Sequence, residues 1–137
     1  MVGYSGTPLV KKLGIKEDFR VAFHKLPADM EAEIHEALAS CKRVSSKLDF
    51  AMIFVQSQAE LEKEFTRYAN RLASAGMLWV SWPKKSSKVT TDLDENKIRE
   101  IGLANLLVDV KVCAVSEIWS GLKFVIRLKD RAKNDRA

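Results

Sequence analysis

Apolar and polar positions along this 137-residue chain follow periods that predict the order β-α-β-α-β-α-β-β. Phe19 to His24 reads as a first strand, with Phe19, Val21 and Phe23 on one face. Pro27 opens a helix running to about Cys41, whose apolar stripe is Met30, Ile34, Leu38 and Cys41. Leu48 to Val55 is continuously apolar past Asp49, the pattern of a parallel strand covered on both faces. Ser57-Gln58-Ala59-Glu60 then has the form of a capping box, opening a helix with Leu61, Phe65, Ala69 and Leu72 at helical spacing. Gly76 follows that helix, and Met77 to Trp82 form the third strand, which leaves the core abruptly into Pro83-Lys84-Lys85. Asp92 and Glu95 suggest a capped start for the helix of Ile98 and Ile101. Val108 to Val115 and Leu122 to Leu128 are the last two strands, joined by Ser116 to Gly121. Ahead of all this, Thr7 is placed to cap a short helix that begins at Pro8 and ends at Gly14, with backbone N–H groups at its start that could hold an anion. A plain capped helix is the simpler reading.

Three helical connections make the first four strands parallel, because right-handed crossovers return each strand in the same sense. The last connection is too short for a crossover, so the fifth strand must run antiparallel. In element order, residues 19 to 129 resemble the later part of the class I methyltransferase fold, where the final strand slots between the two before it. That resemblance implies a three-layer Rossmann-like sheet of five strands in the order 1-2-3-5-4, with a short N-terminal helix beside it. It also implies a test for S-adenosylmethionine. Methyltransferases carry a glycine-rich turn after the first strand and an acidic residue for the ribose at the end of the second. Here the turn is His24-Lys25-Leu26-Pro27-Ala28-Asp29, without glycine, and the second strand of the full fold is expected to be missing. Tight binding of that cofactor is therefore not expected. At a finer level, the strings GYSGTPL, KKLGI, LWVSWPKK, TDL, LVDVKVCAV and WSGLKFV resemble a family of small bacterial proteins to which no activity is assigned.

Composition narrows the picture only a little. Apolar residues make up 47% and charged residues 30%, as in a folded globular chain. The length suits one domain, expected over residues 1–129, with 130–137 as a frayed charged tail. The formal charge of +5 suits an anionic small molecule, yet also ordinary solubility, and five of the 23 basic residues fall in Arg127 to Ala137. Nucleic acid is disfavoured, because the basic residues are spread over several elements and no aromatic-basic motif is present. Cys41 and Cys113 lack metal-ligand spacing, so no metal site is expected; they read as buried free thiols of a reducing cytoplasm. No signal-peptide core or membrane-length apolar run occurs, which leads to the same cytoplasmic expectation.

Ligands of open parallel sheets bind beyond the carboxyl ends of the strands. Those ends collect His24, Ser57, Trp82, Lys84, Lys85, Trp119 and Ser120, a set suited to holding a phosphate or carboxylate beside a flat ring. Each has a plainer reading. Trp79 belongs to the core, while Trp82 and Trp119 could be core edge or ligand face. Lys84 and Lys85 could be a solvated loop, and His24 could simply be hydrogen-bonded, having no evident nucleophile to serve as a general base. His35 reads as surface, and Glu117 as a partner for a lysine. No GxSxG, HExxH, P-loop or GxGxxG string occurs, so no catalytic residues are assigned. The expectation is a non-catalytic anion-binding domain. The alternatives are a protein-interaction module or homodimer using Trp119, Trp82 and the edge strand 108–115, and a degenerate methyltransferase.

Overall fold

The computed structural model describes residues 8–131. Helix α1 (Leu9–Leu13) ends where Gly14 takes a left-handed conformation, φ 82°. That turn lets the Gly14 N–H bond the Val10 carbonyl, and a side chain there would be strained. The expected cap, Thr7, lies outside the described residues. Strand β1 (Arg20–His24) is followed by α2 (Ala28–Glu33) and α3 (His35–Ala39). These replace the single helix expected from Pro27 to Cys41, because Ile34 leaves helical geometry at φ −105°, ψ 11°. The stripe itself is right. Met30 and Ile34 are buried, and Leu38 and Cys41 pack on the same cluster.

A two-residue strand β2 (Lys42–Arg43) follows, which nothing in the residue pattern announces because both side chains are exposed. It is held by backbone bonds from Lys42 to Phe19 and from Val44 to Val21. Next come β3 (Leu48–Phe54), α4 (Gln58–Ala69), β4 (Leu72–Pro83), α5 (Glu95–Ala104), β5 (Leu107–Ala114) and β6 (Trp119–Ile126). The sheet order is β2-β1-β3-β4-β6-β5, with β1 to β4 parallel and β6 antiparallel to both its neighbours. The sheet has six strands, not five. It departs from the expected order by the edge strand beside β1.

Strand β4 also begins earlier than expected. Leu72 fits the helical spacing of Leu61, Phe65 and Ala69, but α4 stops at Ala69 and Leu72 pairs with Leu48. The register then shifts, so that Phe50 pairs with Met77. Gly76 sits in that shift, where a Cβ would lie 2.3 Å from the Leu48 carbonyl oxygen; only glycine lets the two backbones approach so closely. Asp94, rather than Asp92, caps α5 by accepting the Lys97 N–H at 2.8 Å.

The sheet divides the core into two layers. On one face, α4 and α5 bury Leu61, Phe65 and Ile98 against Ala51, Ile53, Leu78, Val80 and Phe124. On the other, α1, α2 and the junction before α3 bury Leu9, Leu13, Met30 and Ile34 against Phe50, Met52, Phe54 and Trp79. Strands β3 and β4 are therefore covered on both sides, which is why Phe50 to Phe54 and Met77 to Val80 are unbroken apolar runs.

Candidate functional site

Strand β1 has β2 on one side and β3 on the other, so the chain reverses its direction of travel across the sheet there. The crevice beyond the carboxyl ends of β1 and β3 is the topological switch point, where open α/β sheets bind ligands. In this protein the protein's own side chains occupy it. Glu60, in the first turn of α4, accepts from His24 Nε2 at 2.9 Å and the Gln56 backbone N–H at 3.1 Å, and its Oε2 lies 2.9 Å from Lys25 Nζ. The second ring nitrogen of His24 faces Glu64 Oε1 at 3.6 Å, and Glu64 in turn pairs with Arg67. Tyr68 Oη donates to the Phe23 carbonyl at 3.2 Å, fastening α4 to the end of β1. Lys25 itself has φ 55°, the left-handed conformation that glycine adopts freely and a lysine adopts at a cost of ~1 kcal/mol. The turn after β1 thus has a glycine-like shape without a glycine. A small cavity of about 200 Å³ remains, lined by Lys25, Phe54, Gln56, Glu60 and Trp119.

A second, larger cleft of about 520 Å³ opens beyond β4 and β6. It is lined by Trp82, Pro83, Lys84, Lys85 and Ser120, and by Leu93 to Asn96 at the start of α5. Its two acids are committed elsewhere: Asp94 caps α5, and Glu95 Oε2 accepts from Arg99 at 2.6 Å. Among the described residues neither lysine forms an ion pair. The loop that carries them is anchored. A 3₁₀ turn spans Lys85–Ser87, Thr91 Oγ1 donates to the Gln56 carbonyl at 2.6 Å, and Asp92 accepts the Gln58 N–H at 2.8 Å.

The residues expected at one rim are therefore divided between two places. Lys84, Lys85, Trp82 and Ser120 do share a cleft, but Trp82 is buried to 7% exposure and packs in the α4–α5 layer. Trp119 belongs to the opposite layer, its ring edge-on to Phe54 at 5.1 Å. Ser57 is no free anion point. Its hydroxyl caps the Glu60 N–H, and Asp92 takes the N–H of Gln58, so these N–H groups at the start of α4 are already satisfied. His24 lies between two carboxylates, with neither nitrogen turned to a cleft. Glu117 is exposed and makes no ion pair among the described residues. Trp79 is fully buried and His35 exposed, as expected. Cys41 and Cys113 are free but only half-buried, and burial pushes both thiols up. Glu60 is the centre that residue-by-residue reading missed. The capping box was its one signal, and the box is used unusually, with the carboxylate reaching back to Gln56 and across to β1.

Burial would by itself raise the Glu60 carboxyl, but bonds from Lys25, His24 and the Gln56 N–H, with the charge of Lys25, bring it down to about 2. A carboxylate with a depressed pKa adds stability above its unfolded value and loses it as pH falls through the folded one. The stability gap between the wild type and Glu60→Gln is thus expected to be widest above about pH 5 and to close near about pH 2. We expect a gap of about 1–2 kcal/mol, allowing for solvent screening at the exposed Lys25. Denaturant melts across that range measure it. A gap that does not change with pH would show that the charge of Glu60 holds nothing together.

No family profile and no curated protein sequence matches the chain. Solved structures do match in shape. A magnesium protoporphyrin IX methyltransferase (ChlM) from Synechocystis PCC 6803 with bound SAH superposes with a TM-score of 0.59 at 11% identity, covering 86% of this chain and 78% of that one. A precorrin-6y C5,15-methyltransferase from Geobacter metallireducens GS-15 gives 0.57 at 11% identity, covering 87% and 86%. The Methanococcus jannaschii fibrillarin pre-rRNA processing protein gives 0.52 at 12% identity, covering 90% and 70%. The fold is that of the class I methyltransferases: a Rossmann-like α/β sheet closed by an antiparallel hairpin. Within it, the second strand is present after all, reduced to β2. It ends in Arg43, a base where an acid was sought, whose guanidinium lies 5.3 Å over the Phe23 ring. Among the described residues, no helix is long and apolar enough to cross a membrane, and no cluster of three potential metal ligands occurs.

Proposed function

We propose that this domain uses a methyltransferase-like sheet to bind an anionic small molecule, bearing a phosphate or carboxylate, in the cleft of Lys84 and Lys85, without catalysis of its own. The observation that carries this reading is the pairing of two lysines with a cleft whose acids are already engaged. An incoming anion meets point charges that no carboxylate among the described residues has neutralised. Ser120 lines the same cleft and adds a polar wall. Against catalysis stands the state of His24: a base whose two nitrogens face Glu60 and Glu64 must break those contacts before it can take a proton.

The second reading, a degenerate methyltransferase, draws its support from the fold of the structural neighbours. The filled switch point weighs against it, since Glu60, His24 and Lys25 stand where the cofactor would approach the backbone. A homodimer through β5 is weakened by the register shift between Asp109 and Lys111, a bulge of the kind that blunts edge strands.

Thermal melts with inorganic phosphate and with a nucleoside monophosphate test the proposal. Wild-type protein is expected to gain stability, by about 2.7 kcal/mol when the ligand is at roughly a hundredfold its Kd. The double change Lys84→Glu, Lys85→Glu should abolish that gain and alter the ligand-free melt by only about 0–1 kcal/mol. Equal stabilisation of the charge-reversed protein would sink the site. Calorimetric binding of S-adenosylmethionine with a Kd at or below ~10 µM, about −7 kcal/mol, would instead favour the methyltransferase reading.

A further inference from the structure

The fold gathers lysines that lie far apart in sequence onto the face of β5 and β6 nearest α1. Lys111 and Lys123 stand directly opposite each other on these antiparallel strands, where side chains lie ~5 Å apart at Cβ and like charges repel. Lys111 Nζ donates to the Lys12 carbonyl at 3.0 Å, drawing the end of α1 over the strands. The charges that act on Lys123 are those of Lys111 and Lys16; those that act most on the neighbouring Cys113 thiol are Lys111, Lys12 and Lys84. Asp109, the acid of β5, is turned to Arg99 at 2.9 Å, on the α5 side of the sheet. Among the described residues, Lys16, Lys111 and Lys123 form no ion pair with any carboxylate.

This arrangement works against stability. Lys123 is half-buried, and burial first, then Lys111 and Lys16, lower its pKa, so its ammonium is worse off in the fold than in water. An apolar side chain of similar length would fill the place without that penalty. A bound anion would remove it.

We propose that this face is a second anion site, which takes a ligand carrying phosphate groups in series, with Lys111 and Lys123 sharing one phosphate and Lys16 contacting its neighbour. Such groups occur in inorganic polyphosphate and along a nucleic-acid backbone. Of the described aromatic side chains on this face, Trp79 beside Lys123 is fully buried and Trp119 packs edge-on to Phe54, so contact is to phosphate and not to bases. The site draws on other lysines than the cleft of Lys84 and Lys85, whose lining includes neither Lys111 nor Lys123.

The test compares wild-type protein with Lys111→Gln/Lys123→Met and with a control of equal charge, Lys42→Gln/Lys63→Gln, both exposed residues on other faces. Sodium tripolyphosphate is titrated by calorimetry, and a labelled oligothymidylate by anisotropy at several salt concentrations. Loss of about tenfold or more in affinity for either probe, in the first variant only, supports the site, and the probe that binds names the source of the phosphate. For the oligonucleotide, the slope of log affinity against log salt should become shallower by about 0.7, the loss of one phosphate contact. Lys123→Met alone should melt at or above the wild-type temperature. The proposal fails if neither probe binds, if the control loses as much affinity, or if Lys123→Met melts lower, which would make that ammonium a structural group.

Discussion

Trp79→Ala is expected to remove about 4–5 kcal/mol of stability, the largest loss of any single change considered for this chain. The side chain is fully buried at the centre of the sheet, and its removal leaves a cavity between β4 and the helices above it. It also does more than fill space. Its indole Nε1 donates to the Leu13 carbonyl at 2.9 Å, at the last residue of α1. A five-residue helix cannot hold itself together in water, so this bond and the burial of Leu9 and Leu13 keep α1 in place. Trp79→Phe separates the two roles. It keeps most of the packing but strands a buried carbonyl, and should lose about 1–3 kcal/mol. Denaturant unfolding of both variants measures the pair. Near-equal losses would mean that the hydrogen bond, and not the volume, is the main contribution of Trp79.

Phe54→Ala should cost about 3–5 kcal/mol. Phe54 is 2% exposed at the carboxyl end of β3, and its ring takes the edge of Trp119 at 89°. The change would join the space vacated by the ring to the small cavity beside Lys25 and Glu60. Trp119 would then lose its main aromatic partner, so its fluorescence should shift to the red as water reaches it. The two readouts check each other. A loss under about 1 kcal/mol, with unchanged emission, would mean that β3 is not covered on both faces.

Much of this architecture can be read from residue order, and the exceptions have physical causes. Phe50 to Phe54, past Asp49, reads correctly because a strand buried on both sides has no room for polar side chains. Ser57 reads as a cap because a hydroxyl before a helix has few other uses, and it does accept the Glu60 N–H. Strand β2 is not legible, since Lys42 and Arg43 form it through backbone bonds alone. Leu72 misleads because one spacing serves both the stripe of α4 and the start of β4. Glu60 is hidden for a different reason. Its partner His24 lies 36 residues away, and only the crossing of α4 over β1 brings them together. Lys111 of β5, Lys123 of β6 and Lys16 beyond α1 are dispersed in the same way, so they form no basic stripe along the chain.

The placement of β6 constrains how the chain can be made. Among the described residues, β5 has one sheet neighbour, and that neighbour is β6, which leaves a ribosome after it. Until residues 119 to 126 emerge, β4 keeps an open edge with Leu78 and Val80 beside it, and β5 has no strand to join. Nascent chains that stall between the two strands would therefore carry an unfinished sheet with an apolar border, the kind of surface that chaperones bind and that pairs with the wrong chain. Closure of this sheet waits for β6, and a stop codon a few positions before Trp119 would undo the pairing of both β4 and β5 and not merely delete one strand.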